Sequence, residues 1–224
     1  MPGTATDFSR SFPLANGLFE ARPGQSASSG LKRRLNLSQL SLFAPSALAP
    51  KGLEYWPEFI SRAEEQSLID RIAELQLRPF QFGAYEGKRR VVSFGRAYDF
   101  SRQRLEAAPA APSWIGPFLS RIESLPQARQ SQIAQVLVTE YQPGAAIGWH
   151  RDKKSFDLIF GLSLGASCPF RFRRKIGSRW ERFTLTIEPR SLYLMSDDAR
   201  SLWEHSIPPI SELRYSITLR TLAE

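Results

Sequence analysis

The chain has 224 residues, enough for one domain with a sizeable core and an extension. Its 42% hydrophobic and 23% charged residues exclude a disordered composition and a bundle of membrane spans. Against 22 Asp+Glu stand 30 Lys+Arg, a net charge of +8 that suits phosphate backbones, anionic lipids or acidic proteins without choosing among them.

The single cysteine, Cys168, rules out an intrachain disulfide and a cysteine-based zinc site, and fits a reducing compartment. Its place beside Pro169 suggests a buried small hydrophobe. The N-terminus lacks a signal-peptide pattern, and no apolar run approaches the roughly 18 residues of a membrane span. A soluble, cytoplasmic monomer with no membrane partner is the expectation.

In chain order, residues 1–50 are rich in Ser, Gly, Pro and Ala and carry the basic cluster Lys32-Arg33-Arg34. This composition predicts a flexible basic extension. Residues 51–224 form the folded domain, starting with an extended Leu53–Trp56. Over residues 57–75, Phe59, Ala63, Leu68, Ile69, Ile72 and Leu75 recur at mostly helical spacing, and Ser61 with Glu64 has the pattern of a capping box. Arg89 to Phe100 is basic and partly extended. After an Ala/Pro-rich break at 107–112, Trp114–Leu125 predicts a second amphipathic helix. From Gln135 the texture changes to short β-rich runs: 135–141, 158–164, 170–173, 183–187, 191–194 and 215–219. Helices followed by strands predict an α+β fold, with helices packed on a sandwich or jelly roll.

The chain has two histidines, His150 and His205. In an extended segment, positions i and i+2 share a face, so His150 and Asp152 can reach one ion together. His205 lies beyond several strands, where a returning strand can bring it opposite them. Two imidazoles and a carboxylate make the facial triad of non-haem iron(II) oxygenases. Alone, His-x-Asp leaves open a structural hydrogen bond for His150, a turn for Asp152, or a zinc site with the same three ligands.

The C-terminal strand adds a second constraint. Arg214, Ser216, Thr218 and Arg220 alternate with Tyr215, Ile217 and Leu219, so period two puts both guanidiniums and both hydroxyls on one face. That face lines either solvent, as on an edge strand, or a polar cavity. The two arginines stand about 20 Å apart along the strand, and their planar forks suit carboxylates.

These motifs together resemble the AlkB family of Fe(II)/2-oxoglutarate dioxygenases. The resemblance rests on Tyr141-x-Pro143-Gly144 before His150-x-Asp152, then Arg200…Trp203-x-His205-x-Ile207-Pro208, then Arg214-Tyr215-Ser216-x-Thr218-x-Arg220, in the family's order and from about Leu53 to the C-terminus. It implies a double-stranded β-helix (jelly roll) with N-terminal helices and a nucleotide-recognition lid. It also implies that His150, Asp152 and His205 hold Fe(II), with 2-oxoglutarate as co-substrate and dioxygen as oxidant. By the same resemblance Arg214 pairs with the 5-carboxylate and Arg220 lies near the 1-carboxylate. Tyr141 donates to the co-substrate, and Ser216 and Thr139 belong to its pocket. The implied reaction is oxidative dealkylation of N-alkylated bases in DNA or RNA, by hydroxylation of an N-methyl group and release of formaldehyde. Two positions depart from the family pattern: Thr139 is commonly Asn, and Lys154 stands where repair members often carry an acidic residue.

The segment from Lys88 to Tyr98 interleaves basic and aromatic residues. Phe94 and Tyr98 are expected to stack on a single-stranded or flipped base, with Arg90 and Arg96 meeting phosphates. The alternative is a basic surface strand whose aromatics face the core. Trp149, facing away from His150, is expected to pack in the core. Arg171 to Lys175 suits either a nucleic-acid backbone or a solvated hairpin, and Arg200 is expected to brace the loop ahead of His205. Two rival functions remain: the same chemistry on a protein or other non-nucleic-acid target, and a catalytically idle nucleic-acid-binding module.

Overall fold

A computed structural model describes residues 49–82, 85–99, 101–128 and 131–223; the expected basic extension falls almost wholly outside them. The first strand, β1 (Leu53–Trp56), leads into α1 (Arg62–Ala73). Helix α1 begins where the capping box places it: the Ser61 hydroxyl accepts from the Glu64 amide at 3.2 Å, and the Glu64 carboxylate accepts from the Ser61 amide at 2.7 Å. The strands β2 (Arg78–Phe82), β3 (Tyr85–Phe94), β4 (Arg96–Asp99) and β5 (Arg104–Ala107) follow. A 3-10 turn at Ser113–Ile115 then precedes α2 (Gly116–Glu123).

The remaining strands are β6 (Ile133–Tyr141), β7 (Ile147–His150), β8 (Phe156–Leu164), β9 (Cys168–Ile176), β10 (Arg179–Ile187), β11 (Leu192–Met195), β12 (Glu204–Ile207) and β13 (Arg214–Leu222), with a short helix α3 (Asp197–Ser201) after β11. They make a seven-stranded sheet, β1-β11-β8-β13-β6-β3-β2, and a four-stranded sheet, β10-β9-β12-β7; β4 and β5 form a separate hairpin. Every pairing is antiparallel. Helices on one face of a jelly roll are what the change of texture near Gln135 predicts.

Alternation along the central strands divides the core. Leu192 and Leu194 of β11, Leu162 and Leu164 of β8, and Ile217 and Leu219 of β13 point to the helices, where they meet Ile72, Phe118 and Ile122. Tyr193, Met195 and Ile159 point the other way, toward Phe170, Phe172 and Ile207 of the smaller sheet. Each large apolar side chain buried in this way contributes about 1.5–3 kcal/mol, so both faces of the larger sheet are pinned and its register is strongly specified. The middle position of β13, between β8 and β6, excludes the solvent-facing edge strand.

Two local features aim the site. Between β6 and β7, Pro143-Gly144 turns the chain with Gly144 at φ +83° and the Ala145 amide donating to the Gln142 carbonyl at 2.8 Å, the pattern of a type II turn. In β8, a Cβ on Gly161 would sit 2.1 Å from the Tyr193 ring, so only glycine lets that ring lie against the sheet.

Candidate metal centre and its cavity

Strands β7 and β12 pair so that His205 lies directly opposite His150, and the two rings stand 4.3 Å apart between centroids. Asp152 follows two residues after β7 ends, with its Oδ2 3.4 Å from His205 Nε2. One ligand atom from each of the three residues lies within 4.8 Å of the others, a span that a single ion can bridge. This is the only group of three or more His, Cys, Asp or Glu side chains of that kind among the described residues.

The neighbours of the triad prepare it for a metal. His150 Nδ1 lies 2.9 Å from the Gly148 carbonyl, which fixes the proton there and leaves Nε2 as the free lone pair. Asp152 Oδ1 accepts from Arg220 Nε at 3.1 Å and Nη2 at 2.7 Å, so Oδ2 is the oxygen left to face the histidines. Burial raises the Asp152 pKa, but the Arg220 guanidinium and the two imidazoles outweigh it and hold the carboxyl well below the usual carboxylate range. Burial, reinforced by His150, lowers His205 to about 3, so its ring is neutral, the form that binds metals.

The triad opens into a cavity of about 830 Å³ between the two sheets. Arg214, Thr218 and Arg220 of β13 line it, as do Thr139 and Tyr141 of β6. Arg214 is 1% exposed; its Nε donates to Ser163 Oγ at 3.1 Å, its guanidinium lies 4.8 Å from the Tyr141 ring centre, and its Nη1 has no hydrogen-bond partner. Among the described residues no carboxylate lies within ion-pair distance of it. A buried guanidinium without a counter-ion is costly unless a ligand supplies one.

Several expected positions fall elsewhere. Ser216 lies on the cavity side of β13 but does not line the cavity. Its register partner is Ser163, the residue that Arg214 reaches, so the guanidinium covers that row. Phe94 is a core residue, 7% exposed and packed with the helices. Arg90 shares that face, donating to Glu140 Oε1 at 3.2 Å and to the Leu77 carbonyl at 3.0 Å. In β3 it is Arg89, Val91 and Ser93 that face the cavity, so alternation assigns Arg90 and Phe94 to the far side. The Arg96 side chain is exposed and does not line the cavity; its carbonyl accepts from Gln135 Nε2 at 3.0 Å. Tyr98 does line it, with the Lys153 ammonium 4.6 Å from its ring centre, whereas Lys154 is exposed and outside it.

Trp149 is half-buried rather than packed in the core, because the guanidiniums of Arg171 and Arg173 cover its ring. Arg200, in α3 ahead of His205, donates to the carbonyls of Lys153 and Phe156, so it ties that segment to the loop after Asp152. Cys168 is buried as expected, and burial raises its thiol pKa. Two residues escaped the sequence reading. Gln135 receives Arg220 Nη1 at 2.8 Å and is its register partner on β6. Arg89 stacks 3.9 Å over Phe80 and projects into the cavity; burial lowers its pKa, and the Tyr141 hydroxyl and Asp152 partly offset this.

The model of the 2OG-Fe(II) oxygenase superfamily matches residues 52–220. The chain belongs to this superfamily. Its similarity to curated proteins includes the "Alkylated DNA repair protein ALKBH8 homolog" of Arabidopsis thaliana, 32% identical over 187 residues, 73% of this chain and 52% of that one. The "Probable RNA/DNA demethylase ALKBH6" of Danio rerio is 24% identical over 176 residues, 73% of this chain and 72% of that one. These relatives place the 2OG-Fe(II) oxygenase in the AlkB family, in line with its motifs. The chain spans about half the length of the Arabidopsis relative. Among solved structures, "OsALKBH1" superposes with a TM-score of 0.58 at 16% identity, over 77% of this chain and 97% of that one. A Pseudomonas putida prolyl-4-hydroxylase superposes at 0.56 and 15%, over 77% and 93%. The shared fold is the jelly roll. The domain is a 2OG-Fe(II) oxygenase, and its cavity suits both groups: two imidazoles and a carboxylate for the metal, and a buried guanidinium without a carboxylate partner for a dicarboxylate. No helix among the described residues is long and apolar enough to cross a membrane.

Proposed function

We propose that the enzyme oxidatively removes alkyl groups from N-alkylated bases in DNA or RNA, with His150, Asp152 and His205 holding the iron. The observation that carries this reading is the buried Arg214 with its unpartnered Nη1 in the same cavity as the triad. Arg214 would take the distal carboxylate of 2-oxoglutarate in a forked pair, with Tyr141 and Thr139 beside it. Iron with 2-oxoglutarate and dioxygen supplies the oxidation of an otherwise inert C–H bond. The chain's own residues do the rest. Arg220 orients Asp152, the sheets exclude water, and Tyr98 at the cavity wall offers a ring to a base taken out of its stack. The strands around Tyr98 and Arg89 act as the nucleotide-recognition lid. The names of the relatives, one an alkylated-DNA repair protein and one an RNA/DNA demethylase, support a nucleic-acid substrate.

The test is succinate and formaldehyde release from 2-oxoglutarate with Fe(II), with and without single-stranded DNA and RNA carrying N1-methyladenine or N3-methylcytosine. Turnover stimulated by the strands and lost in Asp152→Ala and Arg214→Ala is expected. Basal succinate without stimulation would turn the search to a protein or other target. Absence of succinate under every condition would leave an idle binding module as the better account.

A further inference from the structure

The outer face of the smaller sheet carries a built array of cations and indoles that the oxidation chemistry does not use. On β9, Arg171, Arg173 and Lys175 alternate with the buried Phe170 and Phe172, so all three cations point away from the core. Arg182 lies opposite Arg173 in the register of β10, and Trp180 lies opposite Lys175. Arg173 is held between two indoles, with its guanidinium 4.4 Å from the ring centres of both Trp149 and Trp180, and its Nε donates to Glu204 at 2.7 Å. Arg171 lies 5.1 Å from the same Trp149 ring and donates to Ser206 Oγ at 3.1 Å.

Three properties of this face point to one kind of partner. Four cations stand against the single carboxylate of Glu204, a far larger excess than in the whole chain, where 30 cations stand against 22 acids. Trp180 is 39% exposed, so part of its ring is open to a partner while Arg173 covers the rest. Trp149 belongs both to this array and to the lining of the catalytic cavity, and it immediately precedes His150. The face therefore begins at the cavity and runs about 14 Å across four strands. Cations spaced along a surface meet phosphates, and rings stack on bases only where those bases are unpaired.

We propose that this face, from Trp149 across Arg171 and Arg173 to Trp180 and Arg182, is a docking platform for the single-stranded nucleic acid that flanks the base entering the cavity. The proposal rests on the nucleic-acid reading above. Lys175, Arg171 and Arg182 meet phosphates, and Trp180 stacks on a base. Arg173, already held by Glu204 and two indoles, sets the spacing of the rings. Holding the flanking strand here presents the target nucleotide to the triad in a limited range of registers.

The experiment measures binding of the full-length Fe(II)- and 2-oxoglutarate-loaded enzyme, without oxygen, to a fluorescent unmodified 15-nucleotide strand and to its duplex, across a series of salt concentrations. The wild type should prefer the single strand. Lys175→Glu/Arg182→Glu should weaken binding at least about tenfold and flatten the salt slope by about 1.4, the value for two phosphate contacts on a single strand. Trp180→Ala should weaken binding by about five- to tenfold with the salt slope unchanged, and Trp180→Tyr should restore most of it. Arg62→Glu, an exposed charge reversal on α1, controls for net charge and should have little effect. Wild-type affinity and slope in both the double variant and Trp180→Ala would overturn the platform while leaving the nucleic-acid reading intact. A preference for duplex would overturn the single-strand assignment. If the wild type binds neither probe at the lowest salt, the nucleic-acid reading fails and the platform with it.

Discussion

Arg214 and Arg220 stand six residues apart on one strand face, and their surroundings give them different work. Arg220 is neutralised by Asp152 and located by Gln135, so it is a positioning residue for a metal ligand. Arg220→Gln should lower Fe(II) affinity by about 10–100-fold, as loss of a partner to a ligating group does elsewhere. Anaerobic calorimetric titration of Fe(II) measures this, and unchanged affinity would remove Arg220 from the metal's support. Arg214 carries its charge with no carboxylate beside it. Without 2-oxoglutarate, Arg214→Met should therefore be at least as stable as the wild type, because it removes an uncompensated buried cation. Added 2-oxoglutarate should raise the Tm of the wild type and leave that of the variant unmoved. In kinetics, Arg214→Lys should raise the KM for 2-oxoglutarate less than Arg214→Met does, since an ammonium keeps the charge but loses the fork. Equal melting shifts in the two proteins would contradict the assignment.

At the scale of elements, the first helix is secured by its cap and by Glu65, which accepts from the Gly165 amide at 2.9 Å and from Arg190 at 3.1 Å and so ties α1 to the loops of the larger sheet. The cap has its own pH signature. Burial raises the Glu64 pKa, but the Ser61 backbone hydrogen bond and the Arg121 guanidinium bring it from 4.5 to about 2. A depressed folded pKa means that this stabilisation is fully present above pH 4.5 and is lost as pH falls toward 2. Urea midpoints of wild type and Glu64→Gln should differ most at neutral pH and converge on acidification. The difference should be modest, because the carboxylate is 42% exposed and screened. What the sequence disclosed about such elements follows from their chemistry. Strand β13 was readable because its two faces differ, arginine and hydroxyl against Tyr, Ile and Leu. Strand β3 was not: Lys88, Arg89 and Arg90 put cations on both faces, so polarity could not tell that Arg89 meets the cavity and Arg90 and Phe94 face the other way. Strands β7 and β12 are four residues each, and His150 and His205 each take one of their few inward positions, so neither shows an apolar alternation long enough to read as a strand. Only their pairing reveals them. Gln135 had no local signal, since its role depends on lying across from Arg220.

For the whole molecule, the +8 charge and the buried co-substrate site predict opposite responses to salt. Contacts between exposed cations and phosphates release counter-ions and weaken steeply as salt rises, whereas a buried ion pair is screened little. If Arg171, Lys175 and Arg182 of the smaller sheet meet a single strand, its KM should rise roughly 20-fold between 50 and 200 mM KCl, from a slope of about 0.7 per contact. Arg214 is 1% exposed, so the KM for 2-oxoglutarate should change less than about twofold over the same range. Initial rates of succinate formation, with each substrate varied in turn, separate the two. A strand KM insensitive to salt would mean that the basic surface does not carry the substrate and that base contacts inside the cavity dominate. Parallel salt dependence of both constants would mean that salt acts on the catalytic site itself, which the burial of Asp152, His205 and Arg214 argues against.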